Sequence, residues 1–120
     1  MAWTVLFHDA FDAEFEELAK AVQDELYASL ILLKATGPGL GRPHADTLNG
    51  SRHTNMKELR FKADGGAWRV AFAFDPKRRA IVLVAGDKSG GSQQRFYKQL
   101  IRKADDRFDE HLLRLKRDER

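Results

Sequence analysis

The chain has 120 residues, of which 42% are hydrophobic and 32% charged, a length that suits one domain with one core and a composition outside the disordered and fibrous classes. It contains no cysteine, which excludes disulfides and thiolate metal sites and suits a reducing compartment. The net charge of +3 is unevenly spread: residues 1–41 carry two cations against seven acids, residues 42–103 fourteen against five, and residues 104–120 five against six. A central segment this basic suggests a polyanionic partner, because Lys and Arg near phosphates release counterions. The plainer alternative is a solvated surface that happens to be basic.

In chain order, Ala2 to His8 is β-branched and aromatic and reads as a short strand. Asp9 or Asp12 is expected to cap a first helix, with Phe11, Phe15 and Leu18 at helical spacing. A second helix is expected from Lys20, carrying Val22, Leu26, Leu30 and Leu33 inward and stopping at Gly37-Pro38. Together they make an α-hairpin. Thr36 to Asn55 is rich in Gly and Pro and reads as one long loop, a length that in compact domains is usually functional or disordered. Its glycines lack the Gly-Lys-Ser/Thr ending of a phosphate cradle and read as turn chemistry.

Three strands follow. Lys57 to Lys62 alternates, with Leu59 and Phe61 on one face and Glu58, Arg60 and Lys62 on the other. Ala67 to Asp75 puts Trp68, Val70, Phe72 and Phe74 on one face and Arg69, Ala71 and Ala73 on the other, after a hairpin turn at Asp64-Gly65-Gly66. Ala80 to Gly86 is apolar throughout, as expected of a strand covered on both faces. A final helix is expected from about Ser92 towards Leu115, with an apolar stripe of Tyr97, Leu100, Ile101, Ala104, Phe108, Leu112 and Leu115. The fold class is α+β, one domain over residues 1–120, in the order β-α-α-β-β-β-α.

If the first two of those strands form a hairpin, Arg60 and Arg69 emerge on one face, and two guanidinium forks side by side suit a phosphate. Two surface arginines paired with Glu58 or Asp75 is the bland alternative. Lys57 and Lys88 bracket the same sheet. Strict alternation puts Lys57 on the Leu59 face, so its long stem would have to swing out from the frayed start of the strand. Tyr97 packs in the core with a wet hydroxyl, or else stacks on a base or serves as an acid. His53 is the histidine next to the basic strand. The four histidines show no metal-ligand spacing, and neither metal nor cofactor is expected.

The strings L-G-R-P-H-A-D-T-L-N-G-S-R-H-T-N-M-K-E-L-R-F, W-R-V-A-F-A-F-D-P-K-R, A-I-V-L-V-A-G-D-K and F-Y-K-Q-L-I, in that order, closely resemble the HigB-like toxins of the RelE/ParE superfamily. The resemblance runs from Trp3 to about Leu112. It implies a small antiparallel sheet with helices against it, and the toxin of a type II toxin–antitoxin pair. Such a toxin enters the ribosomal A site and cuts mRNA by metal-free attack of a 2′-OH on the adjacent phosphorus. The resemblance places Lys57, Arg60, Arg69, Lys88 and Tyr97 at the site, with Arg60, Arg69 and Lys88 holding the phosphate. Lys57, His53 or Tyr97 would then shuttle protons. It also implies a helix-turn-helix antitoxin as protein partner, the ribosome and mRNA as targets, and operator DNA only through the antitoxin. A cytoplasmic location away from membranes is expected. A ParE-like DNA gyrase poison, which binds without cutting RNA, is the competing class.

Overall fold

A computed structural model describes residues 2–119. Its elements are β1 (Val5–Phe7), α1 (Asp9–Glu16), α2 (Lys20–Thr36), a 3-10 turn at Gly37–Gly39, β2 (Ala45–Thr47), β3 (Met56–Ala63), β4 (Gly66–Phe74), β5 (Ala80–Asp87) and α3 (Gln93–Asp118). The expected α+β order holds, with one strand added. The long loop is interrupted by β2, which pairs antiparallel with β3 from Ala45 opposite Leu59 to Thr47 opposite Lys57. Three residues are too short for a periodicity to show.

The sheet order is β1-β5-β4-β3-β2. β1 runs parallel to β5 and the other pairs are antiparallel. Asp64 and Gly65, with φ of 52° and 75°, form the two-residue turn that joins β3 to β4, the left-handed geometry that an Asp-Gly pair favours. α1 is capped by His8 rather than by Asp9 or Asp12: its Nδ1 accepts the Ala10 N–H at 3.1 Å while its Nε2 meets Glu110 at 3.0 Å.

Side-chain alternation divides the core into two layers. Phe11, Phe15, Leu26, Leu30 and Leu33 of α1 and α2 pack against Leu59, Val70, Phe72 and Val82 on one face. On the other, Leu100, Ala104 and Phe108 of α3 pack against Met56, Ala71, Ala73, Ile81, Leu83 and Val84. β5 is therefore buried on both sides, as its unbroken apolar run requires. A bulge adjusts its phase: Ala71 faces Val84 and Phe72 faces Val82, so Leu83 is the extra residue, and both Leu83 and Val84 face α3.

The end of α2 is closed by Gly37, whose φ is +69°. A Cβ there would lie 2.2 Å from Trp3 Nε1. The Trp3 indole is fixed in turn, edge-on to Phe74 and with the Arg78 guanidinium 5.1 Å above it. Gly37→Ala is expected to lower stability by about 1–3 kcal/mol through strain and forced movement of that ring, read as a lower urea midpoint at unchanged slope.

Candidate active site

Arg60 and Arg69 are direct partners across the β3–β4 ladder. They stand on the α3 face, opposite the side on which Leu59 and Phe72 pack. Gly86 faces Arg69 from β5, and a Cβ at that glycine would lie 2.8 Å from the Phe96 ring. The missing side chain lets the first turn of α3 approach the sheet. That approach sets Tyr97, the next residue, over the arginine pair.

The group that binds these three together is Glu58, 4% exposed. Its Oε2 accepts from Arg60 Nη1 at 3.1 Å, and its Oε1 accepts from the Tyr97 hydroxyl at 3.0 Å. Arg69 Nε donates to the Tyr97 oxygen at 3.3 Å and lies 3.9 Å from Glu58 Oε1. Arg69 Nη1 also donates to its neighbour's carbonyl, Trp68 O, at 2.9 Å, which fixes the guanidinium in plane and leaves it 7% exposed. Burial holds the Tyr97 hydroxyl above its usual range; the Arg69 bond acts in the opposite direction, and the adjacent Glu58 charge adds to the rise. The hydroxyl is thus a proton carrier at neutral pH. A cleft of about 210 Å³ opens beside the cluster, lined by Arg42, Thr47, Asn49, Glu58, Arg60 and Tyr97 among others.

Lys88 comes just after the β5 residues Gly86 and Asp87, which pair with Arg69 and Trp68. Its N–H donates to Ala67 O at 2.8 Å. The loop that carries it is shaped by Asp87, whose Oδ1 accepts from the Ser89 hydroxyl, the Ser89 N–H and the Ala67 N–H at 2.6, 2.9 and 3.1 Å. Ser92 then caps α3 by accepting the Arg95 N–H at 3.2 Å. Lys88, Arg95, Lys98, Arg102 and Lys103 meet no carboxylate among the described residues, so the basic charge around this end of α3 is not neutralised internally.

Two of the expected residues are not brought to the cluster. Lys57 is paired with Phe72 on the α2 face, and its Nζ donates to Pro38 O at 3.2 Å. Alternation decided its side, and the carbonyl at the end of α2 holds the stem there. His53 packs edge-on against Phe108, with Nε2 2.7 Å from Asp109 Oδ1. Asp109 is about 18 Å along α3 from Tyr97 at the helical rise per residue. The residue passed over is Glu58, seen from the sequence only as a counter-ion. Its signal was present: a carboxylate at the i−2 position of Arg60 must share that arginine's face.

A family model described as "Phage derived protein Gp49-like" matches residues 13–109. The chain is 46% identical over 96 residues to "Putative toxin HigB2" of Mycobacterium tuberculosis, a match covering 79% of this chain and 47% of that protein. It is 42% identical over 98 residues to "Putative toxin HigB3" of the same organism, covering 82% of this chain and 83% of that one. The chain thus spans about half the length of the first relative and most of the second. A structure of E. coli toxin RelE, a double arginine-to-alanine mutant in the free state, superposes with a TM-score of 0.61 over 86% of this chain and 97% of that one. At 14% identity that likeness speaks for the fold. With four-fifths of its length in the family model and two relatives above 40% identity, the chain belongs to the Gp49-like family and to the HigB-like toxins.

Proposed function

We propose that the chain is the toxin of a type II toxin–antitoxin pair and cleaves mRNA in the ribosomal A site, arresting translation. The observation that carries the nuclease reading is the hydrogen-bonded Glu58–Tyr97 pair enclosed by Arg60 and Arg69. Phosphodiester cleavage by a neighbouring 2′-OH needs a base for that hydroxyl, cations for the charge that grows on the phosphate oxygens, and an acid for the departing 5′-oxygen. In this cluster Glu58 is the proton acceptor, the two guanidiniums face a shared anion, and Tyr97 holds a proton.

The scheme balances. Glu58 takes the 2′-OH proton as the 2′-oxygen attacks phosphorus. The P–O5′ bond breaks, Tyr97 protonates the 5′-oxygen, and a 2′,3′-cyclic phosphate remains. The 3.0 Å contact between Tyr97 and Glu58 then returns the proton from the carboxyl to the phenolate. Each group ends as it began. Arg60 and Arg69 supply the electrostatic part, and Lys88 with the unpaired cations of α3 supplies long-range attraction for RNA. The names of the two mycobacterial relatives support a toxin role, and with it an antitoxin partner, which in the HigB-like group is expected to carry a helix-turn-helix.

The test is induced expression followed by mapping of new RNA 5′ ends, alongside a translation reaction that compares naked with ribosome-bound mRNA. Codon-linked breaks that appear only on translated message are the expected result. Equal cutting of naked RNA would remove the ribosome from the scheme. DNA damage without RNA breaks would replace the nuclease by a gyrase poison.

A further inference from the structure

The cleft beside the cluster has a second wall that the cleavage chemistry leaves unused. That wall is the segment between β2 and β3, and it is fastened to α3 with unusual firmness for an exposed loop. Asp105, 2% exposed, accepts from the Ser51 hydroxyl and from the Arg52 N–H, the latter at 3.0 Å. Arg52 reaches on to Asp109, and the Ser51 oxygen accepts the His53 N–H at 2.9 Å. Gly50 lies over Ile101, where a Cβ would come within 3.4 Å of the Ile101 side chain. Tyr97, Ile101 and Asp105 are spaced four apart, so one stripe of α3 carries the phenol of the site, the seat of the loop and its anchor.

The residue this arrangement holds against the cleft is Asn49. It is exposed, and its carboxamide makes no hydrogen bond with another described residue, although Ser51 and Arg52 beside it are fully engaged. A fixed backbone carrying a free amide is preorganised for recognition: the immobilisation has been met by folding, and one acceptor and two donors remain for a ligand. The buried Leu48 and Tyr97 line the same cleft. An aromatic side chain and a free carboxamide lining one cleft suit a planar, hydrogen-bonding group, and unpaired RNA is read by stacking and by contacts to base edges.

We propose that this cleft takes the nucleobase flanking the scissile phosphate and that Asn49 reads its edge, which makes Asn49 a determinant of where the message is cut. The inference rests on the nuclease reading above. Glu58, Arg60, Arg69 and Tyr97 act on the phosphate that all nucleotides share, whereas Asn49 acts on the part that differs between them. A bidentate amide–base contact discriminates against the wrong base by about 5-fold or more.

The experiment maps cleavage sites, as 5′-end libraries from a translation reaction, for the parent chain, Asn49→Ala and Asn49→Asp. The libraries are normalised to total cuts, with thermal melts confirming that each variant is folded. The parent is expected to show a base preference at one position flanking the break, and Asn49→Ala to flatten it by about 5-fold or more. Asn49→Asp keeps only acceptors, so it is expected to move the preference towards guanine, whose adjacent N1–H and N2 amino donors match a carboxylate. A structural effect of the loop would slow all sites alike and would not reverse a preference. Parent-like preferences in both variants, or a parent with no preference beside the break, would overturn the assignment of Asn49 and leave the nuclease reading intact. A parent that makes no RNA breaks would overturn both.

Discussion

Glu58→Gln is expected to reduce mRNA cleavage by about 10²–10⁴-fold, the usual worth of a positioned general base, while the protein remains folded. Glutamine keeps the shape and an acceptor oxygen for Tyr97, but it cannot take the 2′-OH proton. It also removes the anion that Arg60 meets at 3.1 Å and that Arg69 approaches at 3.9 Å. The two guanidiniums are then left facing each other across the ladder. Part of the loss would appear as weaker stability, because a buried charged hydrogen bond is worth roughly 1.5–3 kcal/mol. Cleavage is therefore compared at equal folded concentration, set by a melt. Growth arrest after induction gives the cellular counterpart. Arg69→Lys is the companion: it retains the charge but not the planar fork, and it too should lose cleavage. His53→Ala and Lys57→Ala serve as contrasts, since the first side chain contacts Phe108 and Asp109 and the second the end of α2. Parent-like cleavage by Glu58→Gln, or a loss in His53→Ala as deep as in Arg69→Lys, would move the base elsewhere.

The parts of this site that could be read from sequence are those set by strand periodicity. Arg60 and Arg69 lie in alternating runs whose apolar members allow only one choice of face, and the Asp64-Gly65 turn fixes their register, so their pairing followed from local rules. Tyr97 was placed by the helical stripe that it shares with Leu100 and Ile101. Glu58 was harder to value. Alternation gave its side, but whether a carboxylate among cations is a surface counter-ion or a buried hub depends on how closely α3 approaches, and Gly86 settles that by letting Phe96 of α3 rest against the sheet opposite Arg69. His53 and Lys57 show the opposite failure. Both are close to Arg60 in sequence, yet a strand carries successive residues to opposite faces, and a loop can end at the far part of a helix. β2 went unseen because three residues hold too little pattern, although its pairing with β3 brings Thr47 and Asn49 to the cleft.

Asp75→Ala is expected to cost about 3–5 kcal/mol near neutral pH, the loss typical of removing one partner from a buried ionic cluster. Its side chain has no exposed surface and serves as acceptor for five donors. Oδ1 takes the N–H groups of Lys77 and Arg79 at 3.0 and 2.9 Å; Oδ2 takes Arg79 Nε and Nη2 at 3.0 and 2.9 Å and meets His111 Nε2 at 2.9 Å. One carboxylate thus closes the β4–β5 turn and ties the distal half of α3 to it. Burial alone would raise the Asp75 pKa, but the His111 and Arg79 bonds outweigh it and hold the group below the usual carboxylate range. The sign of the pH dependence follows. A lowered folded-state value means that the stabilisation is complete above the unfolded value of about 3.9 and is lost as pH falls through the lower folded value. The gap in urea midpoint between parent and Asp75→Ala should hold near neutral pH and narrow on acidification below about pH 4. A gap that stays constant into acid would assign the loss to the turn backbone and not to the carboxylate. Because Tyr97 sits at the other end of the same helix, the variant should lose cleavage only in proportion to its unfolded fraction, which separates an anchor of α3 from a member of the active site.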